Sequence, residues 1–149
     1  LEKNCMLFFT GFQRTASDIV GEQIQNIPKK NEELKKMCGI ADEAVDILGN
    51  EKRPIDDFGK LLHETWCVKK RLSSKISNPI IDEIYDAGLS AGALGGKLLG
   101  AGSGGFVLLY AKPESQPEVK QKLKNLLYVP FKFDNLGSHI IHHNSNVDF

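Results

Sequence analysis

The segment GKLLGAGSGGFVLLYA, residues 96–111, places five glycines within ten positions, directly before an unbroken apolar run. Glycine loses more backbone freedom on folding than any other residue. Such density therefore marks backbone that must turn, bulge or be approached closely. Phe106 to Tyr110 is apolar and β-prone, without helical period, which predicts a fully buried strand after the glycines. Gly100-Ala101-Gly102-Ser103-Gly104-Gly105 satisfies the letters G-x-G-x-x-G. The dinucleotide fingerprint, however, needs a strand before the glycines and a helix after them, so the context excludes it. A Walker A loop is excluded as well, because Leu98 rather than Ser or Thr follows Lys97. Two readings stay open. Backbone N–H groups freed of side chains can form a nest for an anion such as a phosphate, with Lys97 adding a point charge. Alternatively, the glycines only shape a tight bulged hairpin and Lys97 is a surface lysine.

The remaining pattern is mixed. MLFFTG (6–11) reads as a short strand. Thr15 and Asp18 have capping-box spacing ahead of a helix over 17–26, with Ile19, Val20, Ile24 and Ile27 at helical intervals and Pro28 as the stop. A second helix starts from Asn31 as N-cap, with Leu34, Met37, Cys38, Ala41, Ala44, Val45 and Leu48 as its apolar stripe and Gly49 as a left-handed end. Pro54 opens a third, buried through Ile55, Phe58, Leu61, Leu62, Thr65, Trp66 and Leu72. Ser77-Asn78-Pro79 caps a fourth, with Ile80, Ile81, Ile84 and Ala87 inward and Gly88 as its end. A helix over 114–126 and strands over 128–133 and 138–143 complete the order. The expectation is α+β: one domain over residues 1–149, with a mostly antiparallel sheet and helices on one face.

Composition bounds the function. Lys plus Arg equals Asp plus Glu at 19 each, so the basic excess of a nucleic-acid footprint is missing. No apolar run is long enough to span a bilayer. Cys5, Cys38 and Cys67 are odd in number and form no CxxC, which suggests reduced, mostly buried thiols and a cytoplasmic setting. With Leu at position 1, the chain reads as a processed form or a fragment.

GGKLLGAGSGGFVLLY resembles the third motif of the GHMP kinases, K-x-x-G-A-G-x-G-G. Lys97, Gly100, Ala101, Gly102, Gly104 and Gly105 match, and Ser103 stands at the variable place. TGFQRTASDIV (10–20), residues 69–102 and VPFKFDNLGSHII (129–141) are similar to the C-terminal half of one branch, the D-glycero-D-manno-heptose 7-phosphate kinases. The resemblance implies a ferredoxin-like sandwich. It also implies ATP and magnesium as cofactors, and phosphoryl transfer to the anomeric hydroxyl of a heptose 7-phosphate, giving a heptose 1,7-bisphosphate. In the family the phosphate loop, the magnesium-binding acid and the catalytic Asp belong to an N-terminal half. That half is absent here, so the implied partner is that half and the chain alone is expected to be inactive. The implied phosphate-facing residues are Lys97, Gly100, Ala101, Gly102, Ser103, Gly104 and Gly105. A kinase of another sugar, such as fucose or galactose, and a non-catalytic ligand-binding or assembly domain are the alternatives.

Arg14 and Ser17 fall where the resemblance places the sugar pocket, and an Arg fork suits a sugar-borne phosphate. A surface Arg beside a cap is the plain alternative. Lys70, Arg71 and Ser73 precede a helix start that can hold an anion. Arg71 is taken as a substrate candidate against simple helix-end complementarity. Asp82 and Glu83 read as first-turn acids rather than a catalytic pair. His139, His142, His143 and Asp148 form no tetrahedral set, so no metal is expected. Gly102→Val is expected to impair activity more than folding.

Overall fold

The structure, a computed structural model, describes residues 1–12 and 16–138, the side chains of 16–18 excepted. Strand β1 (Cys5–Phe9) is followed by helices α1 (Ala16–Asn26), α2 (Asn31–Gly49), α3 (Asp56–Lys70) and α4 (Pro79–Ser90). Strands β2 (Ala93–Leu98) and β3 (Phe106–Ala111), helix α5 (Gln116–Lys122) and the two-residue β4 (Leu127–Tyr128) complete it. The sheet runs β2-β3-β1-β4 with every neighbour antiparallel. With helices between β1 and β2 and between β3 and β4, this is the split βαβ arrangement of a ferredoxin-like α+β fold.

Alternation along the central strands decides where the core lies, because successive side chains point to opposite faces. Met6 and Phe8 of β1, and Val107 and Leu109 of β3, are at most 1% exposed. They share one cluster with Ile19 of α1, Trp66 of α3, Ile81 and Tyr85 of α4 and Val119 of α5. Each such large side chain contributes about 1.5–3 kcal/mol on burial. A smaller cluster, Ile40, Ile47, Leu61 and Val68, joins α2 to α3 beside the edge strand β2.

Several expectations need correction. ALGGKL is a strand: α3 lies so close to it that a Cβ on Gly95 would collide with the Gly59 carbonyl. Gly95 therefore serves helix-on-strand contact and Gly96 the close approach of Leu108 and Leu109 on β3, and the poor strand propensity of the two concealed β2. Of the expected α2 stripe, Leu34, Met37 and Ala44 pack against the core, while the buried residues of the helix, Ile40 and Ile47, were not in it. Cys38 is exposed, and Val45 and Leu48 are 72% and 50% exposed. Cys5 and Cys67 are only partly buried. Of the four apolar residues expected at helical intervals here, Ile19 is buried, while Val20, Ile24 and Ile27 are exposed. Asn31 is already helical and gives no side-chain cap, and α2 ends into Asn50 in extended backbone rather than a left-handed Gly49. Gly88 sits inside α4 against Leu109, and the positive-φ glycine after that helix is Gly92, at +97°. Ile80 faces outward, 56% exposed. The strand expected over 128–133 is reduced to Leu127–Tyr128, extended by one bond from Val129 N–H to the Leu7 carbonyl. The capping role of Thr15, the strand over 138–143 and the histidine group lie outside the described residues.

Candidate functional site

The glycine segment is the loop joining β2 to β3, and it is braced on two sides. Leu99 N–H to the Phe106 carbonyl, 2.8 Å, closes its base. On one flank Gly105 N–H donates to the carbonyl of Phe12 (2.9 Å) and to the hydroxyl oxygen of Thr10 (3.1 Å). Thr10 returns both its N–H and its hydroxyl to the Gly105 carbonyl, each at 2.9 Å. On the other flank Ser103 takes a left-handed conformation, φ 59°, and donates its N–H to the Ile76 carbonyl at 2.9 Å. Its hydroxyl donates to the Lys75 carbonyl. A Cβ on Gly102, at φ +141°, would stand 2.7 Å from Ile76 Cα and 2.8 Å from Ile76 O. Gly102 is bare because backbone lies against it. Gly102→Val would therefore strain the fold as well as the loop's approach to a ligand. Gly100, at φ +78°, has nothing within 4 Å of its would-be Cβ.

Three loop carbonyls are held by side chains from three helices. Lys69 Nζ of α3 donates to Gly100 O at 2.6 Å, and Gln23 Nε2 of α1 to Ala101 O at 3.1 Å. Asn78 Nδ2, from the N-cap of α4, donates to Ser103 O at 3.3 Å. Of the six loop N–H groups, those of Ser103 and Gly105 are taken. Those of Gly100, Ala101, Gly102 and Gly104 have no partner among the described residues. Gly100 is exposed, Ala101 and Gly104 are half-buried and Gly102 is buried. Unpaired amide donors with lysines at hand stabilise added negative charge.

Lys69 is pulled down to about 8, by burial first and then by the charge of Lys97. Among the described residues neither lysine has a carboxylate within ion-pair reach. Lys36, Lys70 and Lys75 nearby do, in Glu64, Asp82 and Glu22. Lys97 lies on β2 opposite Leu108, and it also lines a cleft of about 270 Å³ with Met37, Ile40, Phe58 and Leu61. Thus Lys97 and residues 100–105 share one end of the sheet. Arg71, just past α3, is exposed and acts electrostatically on Glu33 of α2. Arg14 and the Ser17 side chain are outside the described residues. Asp82 is tied to Lys70 and to Ser77, both at 3.0 Å, which accounts for it as a structural acid. No group of three or more His, Cys, Asp or Glu among the described residues is placed to hold a metal ion. No helix there is long and apolar enough to cross a membrane. Gln23, Lys69 and Asn78 were not legible as loop partners. They lie 78, 31 and 25 residues from the carbonyls they hold, and local pattern carries no signal over that distance.

Residues 47–129 match the family described as GHMP kinases C terminal. The chain is 31% identical over 127 residues to D-glycero-alpha-D-manno-heptose 7-phosphate kinase of Campylobacter jejuni, a match covering 83% of this chain and 37% of that protein. It is 30% identical over 128 residues to L-fucokinase/L-fucose-1-P guanylyltransferase of Bacteroides fragilis, covering 84% of this chain and 13% of that one. The fold superposes on the crystal structure of Methanococcus jannaschii mevalonate kinase with a TM-score of 0.71 at 30% identity, over 86% of this chain and 39% of that chain. This chain thus spans well under half the length of these relatives. The family match covers more than half of the chain and includes the glycine loop with its Lys97, so the chain belongs to the GHMP kinases as their C-terminal domain.

Proposed function

We propose that this chain is the C-terminal domain of an ATP- and magnesium-dependent sugar kinase whose acceptor is a heptose 7-phosphate, phosphorylated at the anomeric hydroxyl. The observation that carries the reading is the set of amides at Gly100, Ala101, Gly102 and Gly104 that have no partner among the described residues, beside two lysines that have no carboxylate partner there. Phosphoryl transfer asks for positioning and charge stabilisation rather than covalent chemistry from the protein. ATP would supply the phosphoryl group, and these amides with Lys97 would form one wall against its phosphates. Ala101 contributes backbone only. The Ser103 hydroxyl is committed to Lys75, so Ser103 shapes the wall through its left-handed turn. Arg14, Ser17 and Arg71 are assigned to the sugar phosphate. The magnesium ligands and the catalytic carboxylate are assigned to the N-terminal half, which is also the partner. The relative that acts on heptose 7-phosphate supports the choice of sugar, and a cytoplasmic setting follows from such a substrate.

The test is ADP release measured on a protein uniting this chain with its N-terminal half, offered heptose 7-phosphate, fucose, galactose and mevalonate in turn. Heptose-dependent release, and none from residues 1–149 alone, is the expected result. Turnover confined to fucose or galactose would replace the sugar. Turnover by the chain alone would remove the divided-site reading.

A further inference from the structure

We propose that Gln23, Lys69 and Asn78 are positioning residues that aim the loop's amides by holding its carbonyls, with Lys69 as the latch among them. The inference rests on the phosphate-wall reading above and deepens it. Across a planar trans peptide the C=O and the N–H point to opposite sides. A donor bound to the carbonyl of one residue therefore turns the N–H of the next residue away from that donor. Lys69 holds the carbonyl of Gly100, which turns Ala101 N–H outward from α3. Gln23 holds Ala101 and so turns Gly102 N–H. Asn78 holds Ser103 and so turns Gly104 N–H. Those three amides are among the four that lack a partner within the described residues. The one intervening unit is reversed: Ser103 N–H is bonded inward to Ile76, which leaves the Gly102 carbonyl unclaimed. The coincidence is complete over consecutive peptide units, and the three donors come from three different helices. A loop braced only for stability has no need to spend side-chain donors on carbonyls and leave the paired amides open.

Lys69 makes this latch responsive to pH. Among the described residues its neighbours are arranged without a neutralising acid. Lys97 faces it from β2. Glu64 on its own helix is taken by Lys36, Asp82 on α4 by Lys70 and Ser77, and Glu22 on α1 by Ser73 and Lys75. Arg71 acts on Glu33 of α2, which Lys30 also holds. Held down to about 8, the Lys69 ammonium loses its charge in mildly alkaline solution, and the charge-assisted bond to Gly100 weakens with it.

The test titrates residues 1–149 with pyrophosphate while following the amide shifts of Ala101, Gly102 and Gly104. Melting temperatures confirm that each variant is folded. The wild type is expected to shift at those three amides, with binding that weakens as pH rises through about 8. Lys69→Met should weaken binding by about tenfold to a hundredfold, the loss that removing a hydrogen bond to a charged group entails. Lys69→Arg should restore it and abolish the pH step, because guanidinium stays charged. Lys97→Met should move the step to higher pH. If Lys69→Met and Gln23→Leu bind pyrophosphate as the wild type does, while only their melting temperatures fall, the loop sets itself and the positioning role is overturned, with the wall reading intact. If the wild type shows no shift at any of the three amides at saturating pyrophosphate, the wall reading falls, and the latch with it.

Discussion

Placing a methyl group on Gly102 separates what holds the glycine loop from what the loop presents. In Gly102→Ala the new Cβ meets Ile76 Cα at 2.7 Å, its carbonyl oxygen at 2.8 Å and its carbonyl carbon at 3.1 Å. These are backbone atoms, and they cannot swing aside. Ser103 is bonded to the Ile76 and Lys75 carbonyls, and Asn78 fixes the start of α4 two residues on. The substitution therefore adds overpacking, about 1–3 kcal/mol, to the strain of an L residue at positive φ, about 1–2 kcal/mol. A total of about 2–5 kcal/mol is a large share of the 5–15 kcal/mol typical of a whole domain. For a chain of this length it corresponds to a fall in melting temperature of roughly 5–15 °C. Gly100→Ala is the matched control: its φ is +78°, but open space surrounds the new methyl. It should cost the strain alone, about 1–2 kcal/mol, or roughly 2–8 °C. Urea denaturation with a common slope, alongside calorimetric melts, reads both. Losses equal within about 0.5 kcal/mol, an ordinary surface-substitution scatter, would refute the contact with Ile76 as the reason for a bare backbone at 102.

Two further outcomes concern titration. The Glu22 carboxyl is held below the ordinary carboxylate range, by the Ser73 hydroxyl at 2.6 Å first and then by Lys75. A carboxylate lowered in the folded state adds stability above its unfolded pKa and loses it as pH falls through the folded value. Glu22→Gln should thus be less stable than the wild type at neutral pH and converge on it in acid, as read by urea midpoints across pH. Lys69 carries the opposite sign. Between about 8 and the ordinary 10.5 the folded chain binds fewer protons there than the unfolded chain, so stability should rise with pH across that window. Lys69→Met should remove that rise, and an unchanged slope in its alkaline melts would mean that Lys69 titrates normally.

How far the sequence reaches can be judged element by element. Asn78-Pro79 announced α4, and Asn78 does cap it, accepting from Ile81 N–H at 3.1 Å. The apolar run after the glycines is the central strand β3. Both signals are local: a cap acts within one turn, and a doubly covered strand shows as continuous apolarity. Strand β2 was not legible, because Gly95 and Gly96 lower strand propensity while answering a tertiary demand, the approach of α3 at Gly59 and of Leu108 and Leu109. The α2 stripe was read in part: Leu34, Met37 and Ala44 lie on the packed face, and Ile40 and Ile47 were missed. Its sequence offers apolar residues on two adjacent rows, and only the docked α3 selects Ile40 and Ile47. At the site, the motif named the backbone but not its holders. Lys69 carries no local signal beyond that of a cation at a helix end, and Gln23 carries none. What makes them part of the loop is the folding of α1 and α3 beneath it.

The pairing of β1 with β3 sets Cys5 opposite Tyr110 and Phe9 opposite Phe106, so the middle of the sheet is stitched from strands far apart in sequence, with four helices and β2 between them. Such a seam cannot form until four helices have been gathered between its edges, and contacts of that range are slow to close. Thr10 bound to Gly105 sits at the open end of this seam. The bonds between Thr10 and Gly105 therefore depend on that long-range join, and a phosphate gripping the loop would act as a clasp on it, favouring the finished domain over forms in which the seam is open.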